Sequence, residues 1–345
     1  MRRALELARH GEFDAAPNPM VGAVIVCDGR IIGEGFHRRC GEPHAEVNAV
    51  RSVRRPELLS RSTIYVTLEP CSHYGKTPPC AGLLIDKGIP RVVVGCRDPF
   101  PRVAGRGIQM LRDAGREVVV GVLEEECRAL NERFITAHTL RRPWIELKWA
   151  ETADGFIGSH DSEGRPAPVA VSNPLTAVLA HAERSKAQAI MVGRGTVEAD
   201  NPRLDLRLWP GTSPRPVVMT SRPLPEGSHL AAREDVLVFS SLTPLPEILG
   251  KLYADHGITS LLVEGGTRVI DSFLDAGLWD ELRVERSPEI LGGGVKAPQI
   301  PANADVVARG TVRGNSVERY RRREFSRRCV TGERNNRARP FVKKL

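Results

Sequence analysis

Thr63-Ile64-Tyr65-Val66-Thr67-Leu68, a helical segment from Ala81 to Lys87, and Arg91-Val92-Val93-Val94-Gly95 follow one another in the chain. Two short β-branched runs joined through a helix form the unit of a sheet whose strands are at least partly parallel. Upstream, Val21-Gly22-Ala23-Val24-Ile25-Val26 and Ile31-Ile32-Gly33-Glu34-Gly35-Phe36 flank Asp28-Gly29, the dipeptide a two-residue hairpin turn favours. Residues 1–10 carry apolar positions at helical spacing before Gly11, and Ala45 to Val53 reads as another helix. Downstream come a helix from Gly107 to Ala114, a strand from Glu117 to Val122 and a long amphipathic stretch from Leu123 to Leu140.

That stretch ends at Arg141-Arg142-Pro143, since proline disfavours helix in the residue before it. Alternation then restarts with Trp144-Ile145-Glu146-Leu147-Lys148-Trp149, Ala189 to Gly193, Pro216 to Met219, Asp235 to Phe239 and Ser260 to Glu264. A chain of 345 residues holds about two domains, here expected over 1–142 and 143–318. Both are of the α/β class.

The net charge of +8 invites a nucleic-acid reading, so its location matters. Residues 319–345 carry +9 of it, which leaves −1 on residues 1–318 and no support for a basic binding face. The basic segment is poor in large apolar residues and is expected to be a disordered tail. No run of 18 apolar residues occurs, so no membrane span is expected, and the first ten residues lack the apolar core of a signal peptide. Seven cysteines, an odd number at low density, fit reduced thiols or metal ligands in a cytoplasmic protein better than a disulfide framework.

His44-Ala45-Glu46 follows Pro43 at the start of a helix, Pro70-Cys71 follows a strand, and Pro79-Cys80 opens the next helix. Each third of this pattern is weak alone. Together, one histidine and two cysteines at helix starts can supply three ligands of a tetrahedral zinc site and leave one position open. Helix N-termini also favour the thiolate that zinc requires. Glu46 is then the group that carries a proton from water to a departing amine, as in zinc deaminases with a His-x-Glu and a later pair of cysteines. Eight residues separate Cys71 from Cys80, where the cytidine and tRNA-adenosine deaminases have two. Cys27, Cys96 and Cys127 lie in or beside apolar stretches and read as core thiols, while His37 and His73 read either as groups supporting the site's ligands or, preferably, as ordinary polar loop residues. Cys40 sits four before His44, but Gly41 and Pro43 argue against a shared helical face.

Pro17-Asn18-Pro19-Met20-Val21-Gly22, His44-Ala45-Glu46, the run Glu69-Pro70-Cys71-Ser72-His73-Tyr74-Gly75-Lys76-Thr77-Pro78-Pro79-Cys80, Asp98-Pro99 and Val103 to Gly107 together resemble the deaminase half of the bifunctional riboflavin-biosynthesis deaminase/reductase family. The resemblance implies a cytidine-deaminase-like three-layer α/β domain that hydrolytically removes an amino group from a diaminopyrimidinone ribosyl-phosphate. It further implies Asn18, Lys76 and Asp98 as substrate contacts. Phe100 stands where the family often has Asn.

In the second half, Val263-Glu264-Gly265-Gly266-Thr267 leads from a strand into a helix, and backbone N–H groups at such a turn can hold a diphosphate. On mechanics alone, a purely structural turn remains the alternative. Leu147 to Gly155, Met191 to Leu204, Gly277 to Leu282 and Leu291 to Gly294 occur in the order of the family's reductase half, a dihydrofolate-reductase-like α/β domain using NADPH. The resemblance implies cofactor contacts at Ala150, Ala170, Thr196, Asp200, Ser221, Gly266, Thr267, Arg268, Val269, Ile270, Asp271 and Ser272. It implies substrate contacts at Arg184, Leu204, Arg207 and Glu264. Phe156, Ala170 and Asn201 replace the commoner Arg, Trp and Asp. The expected enzyme carries one Zn2+ per chain and NADPH, deaminates its substrate and then reduces the ribosyl group to ribityl. It is expected to act on a small molecule in the cytoplasm, as a homo-oligomer, without nucleic acid or membrane. The rivals are a single-activity zinc deaminase with a non-catalytic second domain, and a nucleic-acid-binding or editing protein prompted by the tail.

Overall fold

The structure, a computed structural model, describes residues 1–72, 78–99 and 104–323. The chain divides into two compact units that meet at Arg141/Arg142. In the first, α1 (Arg2–Ala8) precedes β1 (Gly22–Cys27), β2 (Arg30–Phe36), α2 (Ala45–Ser52), β3 (Thr63–Leu68), α3 (Cys80–Asp86), β4 (Arg91–Cys96), α4 (Arg106–Asp113), β5 (Glu117–Val120), α5 (Glu124–Leu130) and α6 (Glu132–Leu140). Asp28 and Gly29 both take positive φ, 49° and 74°, as the tight hairpin between β1 and β2 demands. The sheet order is β2-β1-β3-β4-β5, with β1 antiparallel to both neighbours and β3, β4 and β5 parallel. Ile25, Ile64, Val66, Val92 and Val94 on one face bury against Ala45 and Ala49 of α2, Leu84 of α3, and Ile108 and Leu111 of α4. That packing fixes the starts of the helices over one sheet, where the functional side chains lie.

The stretch from Leu123 to Leu140 is two helices, broken at Asn131. Asn131 is buried, and its side chain forms a two-way bridge to Met20. Met20 N–H donates to Oδ1 and Nδ2 donates to Met20 C=O, both at 2.8 Å. That demand pulls Asn131 out of regular helical geometry, to φ −110° and ψ 25°. Cys27, Cys96 and Cys127 are buried core thiols, and Cys40 is exposed.

The second unit contains β6 (Trp144–Glu151), β7 (Phe156–His160), β8 (Pro166–Pro168), α7 (Pro174–Arg184), β9 (Ala189–Gly193), α8 (Arg194–Asp200), β10 (Arg215–Met219), β11 (Leu237–Phe239), α9 (Leu245–Ala254) and β12 (Ser260–Val263). It continues with α10 (Thr267–Asp275), β13 (Glu281–Arg286), β14 (Val295–Lys296), β15 (Ala304–Val312) and β16 (Asn315–Arg322). The main sheet runs β11-β10-β9-β12-β6-β13-β16-β15, and its first six strands are parallel. β16 is antiparallel to β13 and β15, while β14, β7 and β8 form a small sheet of their own. Asp280 anchors the entry to this unit by accepting from Arg142 at 2.6 and 2.8 Å and from the Ile145 N–H at 2.8 Å.

Alternate residues serve two faces. Ile145, Leu147, Met191, Leu261, Val263, Leu282 and Val284 meet α9 and α10 in the larger core. Behind β6, β13 and β16 the opposite face is charged yet buried, with Glu146, Glu281, Arg283 and Glu285 there, and Arg319 pairs with Glu183 of α7 at 2.7 Å and with Glu281. Arg319, Arg321 and Arg322 are therefore strand residues, and the expected tail start at residue 319 is corrected: ion pairs of Arg319 and Arg321 and the bond from Arg322 to the Gly277 carbonyl hold this basic segment in the sheet. Residues 324–345 lie outside the described residues.

Candidate active sites

His44 is the N-cap of α2, Cys80 is the first residue of α3 after Pro79, and Cys71 lies just beyond β3. The three ligand atoms lie within 4.8 Å of one another. His44 Nδ1 is 3.3 Å from Cys80 Sγ and 3.6 Å from Cys71 Sγ, and the Cys80 N–H points at Cys71 Sγ from 3.2 Å. Cys71 is held low, at about 4, by hydrogen bonding from Cys80, assisted by His44 and the Cys80 N–H, while Cys80 is pushed up by its bond to Cys71 and by burial. One thiolate, a second soft sulfur and an imidazole converging on one point match the ligand preference of zinc, so the residues fit that metal.

Glu46 lies in the first turn of α2 and is buried beside the cluster. Burial first, then the Cys71 charge, pushes its carboxyl up to about 7. A carboxyl poised near neutrality can both take and return a proton.

Other expected site residues lie near this centre, where the His37 and His44 rings stand 5.4 Å apart. His37 is buried, which corrects its reading as an ordinary polar loop residue. Its Nδ1 faces the Pro43 C=O at 3.3 Å, a group that only accepts, so the ring proton is on Nδ1. Nε2 then accepts from Asn18 Nδ2 at 3.0 Å, which leaves the Asn18 carbonyl as an acceptor. Buried Glu69, part of the quoted motif but given no role from sequence, receives backbone N–H groups from Asp98 (3.3 Å), Gly105 (3.0 Å), Gly107 (3.0 Å) and Ile108 (3.3 Å). It thereby ties the Asp98 loop and the start of α4 to the residue two before Cys71. Gly107 is required there, because a Cβ would stand 1.9 Å from the Pro70 carbonyl oxygen. Lys76, His73 and Phe100 lie outside the described residues.

In the second unit, the expected contacts gather where ligands bind open parallel sheets, at the carboxyl ends of strands. Ala150 is near the end of β6, Thr196 follows β9, Ser221 follows β10, and Glu264 to Gly266 follow β12. Thr196 and Gly266 meet directly, as Gly266 N–H donates to Thr196 Oγ1 at 3.0 Å. Gly266 caps α10, whose first-turn N–H groups at Thr267 and Arg268 have no acceptor within the helix. Asp271 and Ser272 follow in α10, and Asp200 closes α8, where burial raises its pKa. Three expected cofactor residues are placed differently. Ile270 is a core side chain whose N–H is spent on the Gly266 carbonyl, and Val269 packs beneath Gly193 and Gly265. Ala170 lies exposed just past β8 of the small sheet, away from the strand ends of the main sheet.

Arg184 grips Glu264 through two bonds of 3.0 and 2.7 Å, and its Nη1 reaches the Asp205 carbonyl at 3.4 Å. Arg207 is exposed and pairs with the Asp205 carboxylate at 2.9 Å. Leu204 has its side chain in the smaller core and a positive φ of 52°, so its peptide, not its side chain, is what it can offer a ligand. Burial opposes the Glu264 charge, but Arg184 and Lys148 outweigh it and hold the carboxyl at about 2. Lys148 on β6, unassigned from sequence, has its pKa lowered by burial and by Arg283 and Arg184, against the pull of Glu264 and Glu285.

Residues 1–96 match the cytidine and deoxycytidylate deaminase zinc-binding region, and residues 143–321 match the RibD C-terminal domain. The riboflavin biosynthesis protein RibD of Aquifex aeolicus is 39% identical over 321 residues, covering 86% of this chain and 88% of its own. That of Escherichia coli is 36% identical over 327 residues, covering 85% and 88%. Among solved structures, Acinetobacter baumannii RibD superposes with a TM-score of 0.84 at 32% identity, over 93% of this chain and 97% of its own. The diaminohydroxyphosphoribosylaminopyrimidine deaminase/5-amino-6-(5-phosphoribosylamino)uracil reductase of Thermotoga maritima gives 0.82 at 38% identity, over 93% and 97%.

Proposed function

The chain belongs to the RibD family of bifunctional riboflavin-biosynthesis deaminase/reductases, and from that premise we propose which residues do the work in each half. The protein is a zinc- and NADPH-dependent enzyme with a deaminase domain and a reductase domain, so a non-catalytic second domain is set aside. His44, Cys71 and Cys80 hold the zinc, which when bound supplies the Lewis acid that makes water nucleophilic near neutral pH. Glu46 is not a ligand. It takes the proton of the attacking water and delivers it to the departing amine. Asn18, oriented by His37, and Asp98, oriented through Glu69, contact the base and the ribosyl-phosphate, with Lys76 as a third contact.

In the reductase half, Thr196, Asp200, Ser221, the Gly266-Thr267-Arg268 turn, Asp271 and Ser272 hold NADPH, which when bound supplies the hydride. Ala150 and Ala170 offer further cofactor contacts, while Arg184, Leu204, Arg207 and Glu264 hold the ribosyl-phosphate. The observation that carries the reading is the convergence of His44, Cys71 and Cys80 beside buried Glu46. The test is product identity by mass spectrometry with the diaminopyrimidinone ribosyl-phosphate. Deaminated ribosyl product is expected without NADPH, and the ribityl product with it.

The proposal extends to setting and assembly. The six described cysteines are all unpaired, which supports a reducing compartment such as the cytoplasm. Val306 and Val307 are exposed on the edge strand β15, which supports association between copies, measurable by light scattering. The charge of the body supports a small-molecule partner without nucleic acid. No helix among the described residues is long and apolar enough to cross a membrane.

A further inference from the structure

His181 lies on α7 one turn before Arg184, on the same side of the helix, and is only 3% exposed. Its Nδ1 is sealed from solvent and has no hydrogen-bond partner among the described residues. A buried polar atom left this way calls for an explanation, since native interiors pair nearly all such groups. With no acceptor facing Nδ1, the neutral ring keeps its proton on Nε2, because a buried N–H without an acceptor costs more than a bare lone pair. The ring therefore has one donor to offer.

The neighbourhood says to what. Burial first, then the charges of Arg184 and Arg207, lowers the pKa of His181; Glu264 and Asp205 oppose them. Asp205 pairs with the Arg207 guanidinium and its carbonyl accepts from Arg184, so Arg184 and Arg207 meet at one loop, with His181 one helical turn before Arg184. A neutral imidazole donor one helical turn from Arg184, with Arg207 close enough to act on it, suits a phosphate, whose oxygens accept several charge-assisted bonds at once.

We propose that His181 is a third phosphate-binding residue of the reductase site, donating from Nε2 to the ribosyl-phosphate beside Arg184 and Arg207. This rests on the reading of Arg184 and Arg207 as substrate contacts. It also gives the reductase a means of distinguishing the phosphorylated substrate from its dephosphorylated counterpart.

The test follows NADPH consumption by the full-length enzyme with the deaminated ribosyl-phosphate and with the same compound lacking phosphate. His181→Phe should raise KM for the phosphorylated substrate by about tenfold or more, the loss of one charge-assisted bond. KM for the dephosphorylated compound and kcat for both should stay near the parent. His181→Gln, whose amide can reach the Nε2 position, should recover most of the affinity, and His181→Asn should not. The Gln and Asn pair keeps the test valid if the Phe variant does not fold. An unchanged KM for the phosphorylated substrate overturns the proposal, as do equal changes for the two substrates or Gln behaving like Asn. Arg207→Ala separates the two layers of the argument. If it too leaves KM unchanged, the substrate site itself is misplaced; if it raises KM while His181 variants do not, only the role of His181 falls.

Discussion

Removing Cys71 or Cys80 should abolish zinc binding, because each variant deletes one of three protein ligands. Cys71→Ala and Cys80→Ala are expected to retain well under half an equivalent of zinc by mass spectrometry of metals, and full occupancy in both would dismiss the site. Glu46→Gln should keep the metal but lose deamination by about 100-fold or more, the scale of a lost proton shuttle. Near-parent turnover in that variant would assign the shuttle elsewhere. The Arg184 and Glu264 pair makes a separate claim about stability. The Glu264 carboxyl is held at about 2, below its unfolded value, so its stabilisation is present above the ordinary carboxylate range and is lost as pH falls through about 2. Arg184→Met leaves that buried carboxylate with Lys148 as its remaining cation, at a cost of about 2–4 kcal/mol at pH 7. The deficit in urea denaturation should shrink towards pH 4 as Glu264 protonates; a pH-independent deficit would mean lost packing alone. The zinc ligands were legible in sequence because zinc dictates residue type and the helix starts dictate placement. Glu69, His37 and His181 were not, since each acts through backbone groups or neighbours brought near only by the fold.

At the scale of elements, hydrophobic pattern and turn chemistry located most strands to within a residue or two. Thr63 to Leu68 and the Asp28-Gly29 hairpin hold as read, because local propensity and burial agree there. Pattern failed where a long-range polar contact overrides it. Nothing near Asn131 in sequence signals that it bridges Met20, and so the break between α5 and α6 was invisible. The same override hid the last strand, whose arginines resemble a tail until Glu183 and Glu281 are brought against them. The Asn131 bridge leads to a prediction. Asn131→Ala removes the partner of both Met20 backbone groups in a part-buried setting and should cost about 1–3 kcal/mol, because water can re-pair part of what is lost. Because Met20 is two residues from Asn18, KM for the deaminase substrate should rise as well. A loss of stability with unchanged KM would show that the bridge holds the helices and not the substrate loop.

At the scale of the whole molecule, the zinc residues fall between 44 and 80 and the strand-end contacts of the reductase between 150 and 272, in separate compact units. The two activities should therefore be separable by single substitutions. Glu46→Gln protein, supplied with already deaminated substrate, should consume NADPH at the parent rate. Gly266→Asp protein should still release ammonia from the first substrate but lose reduction by at least about tenfold, equivalent to roughly 1.4 kcal/mol. The backbone permits a clean control. Gly266 has φ −63°, and a Cβ there would find Thr196 Oγ1 at 3.5 Å, an ordinary contact. Gly266→Ala should thus fold and keep most of its reductase activity, so a loss in the Asp variant reports negative charge where the cofactor diphosphate meets the first-turn N–H groups of α10. Zinc content and thermal midpoint must match the parent in all three proteins for the comparison to count. Equal loss in the Ala and Asp variants would make the turn a structural feature and move the diphosphate elsewhere. Loss of reduction in Glu46→Gln would instead mean that the halves depend on each other, and a division of labour at Arg141/Arg142 would no longer describe the enzyme.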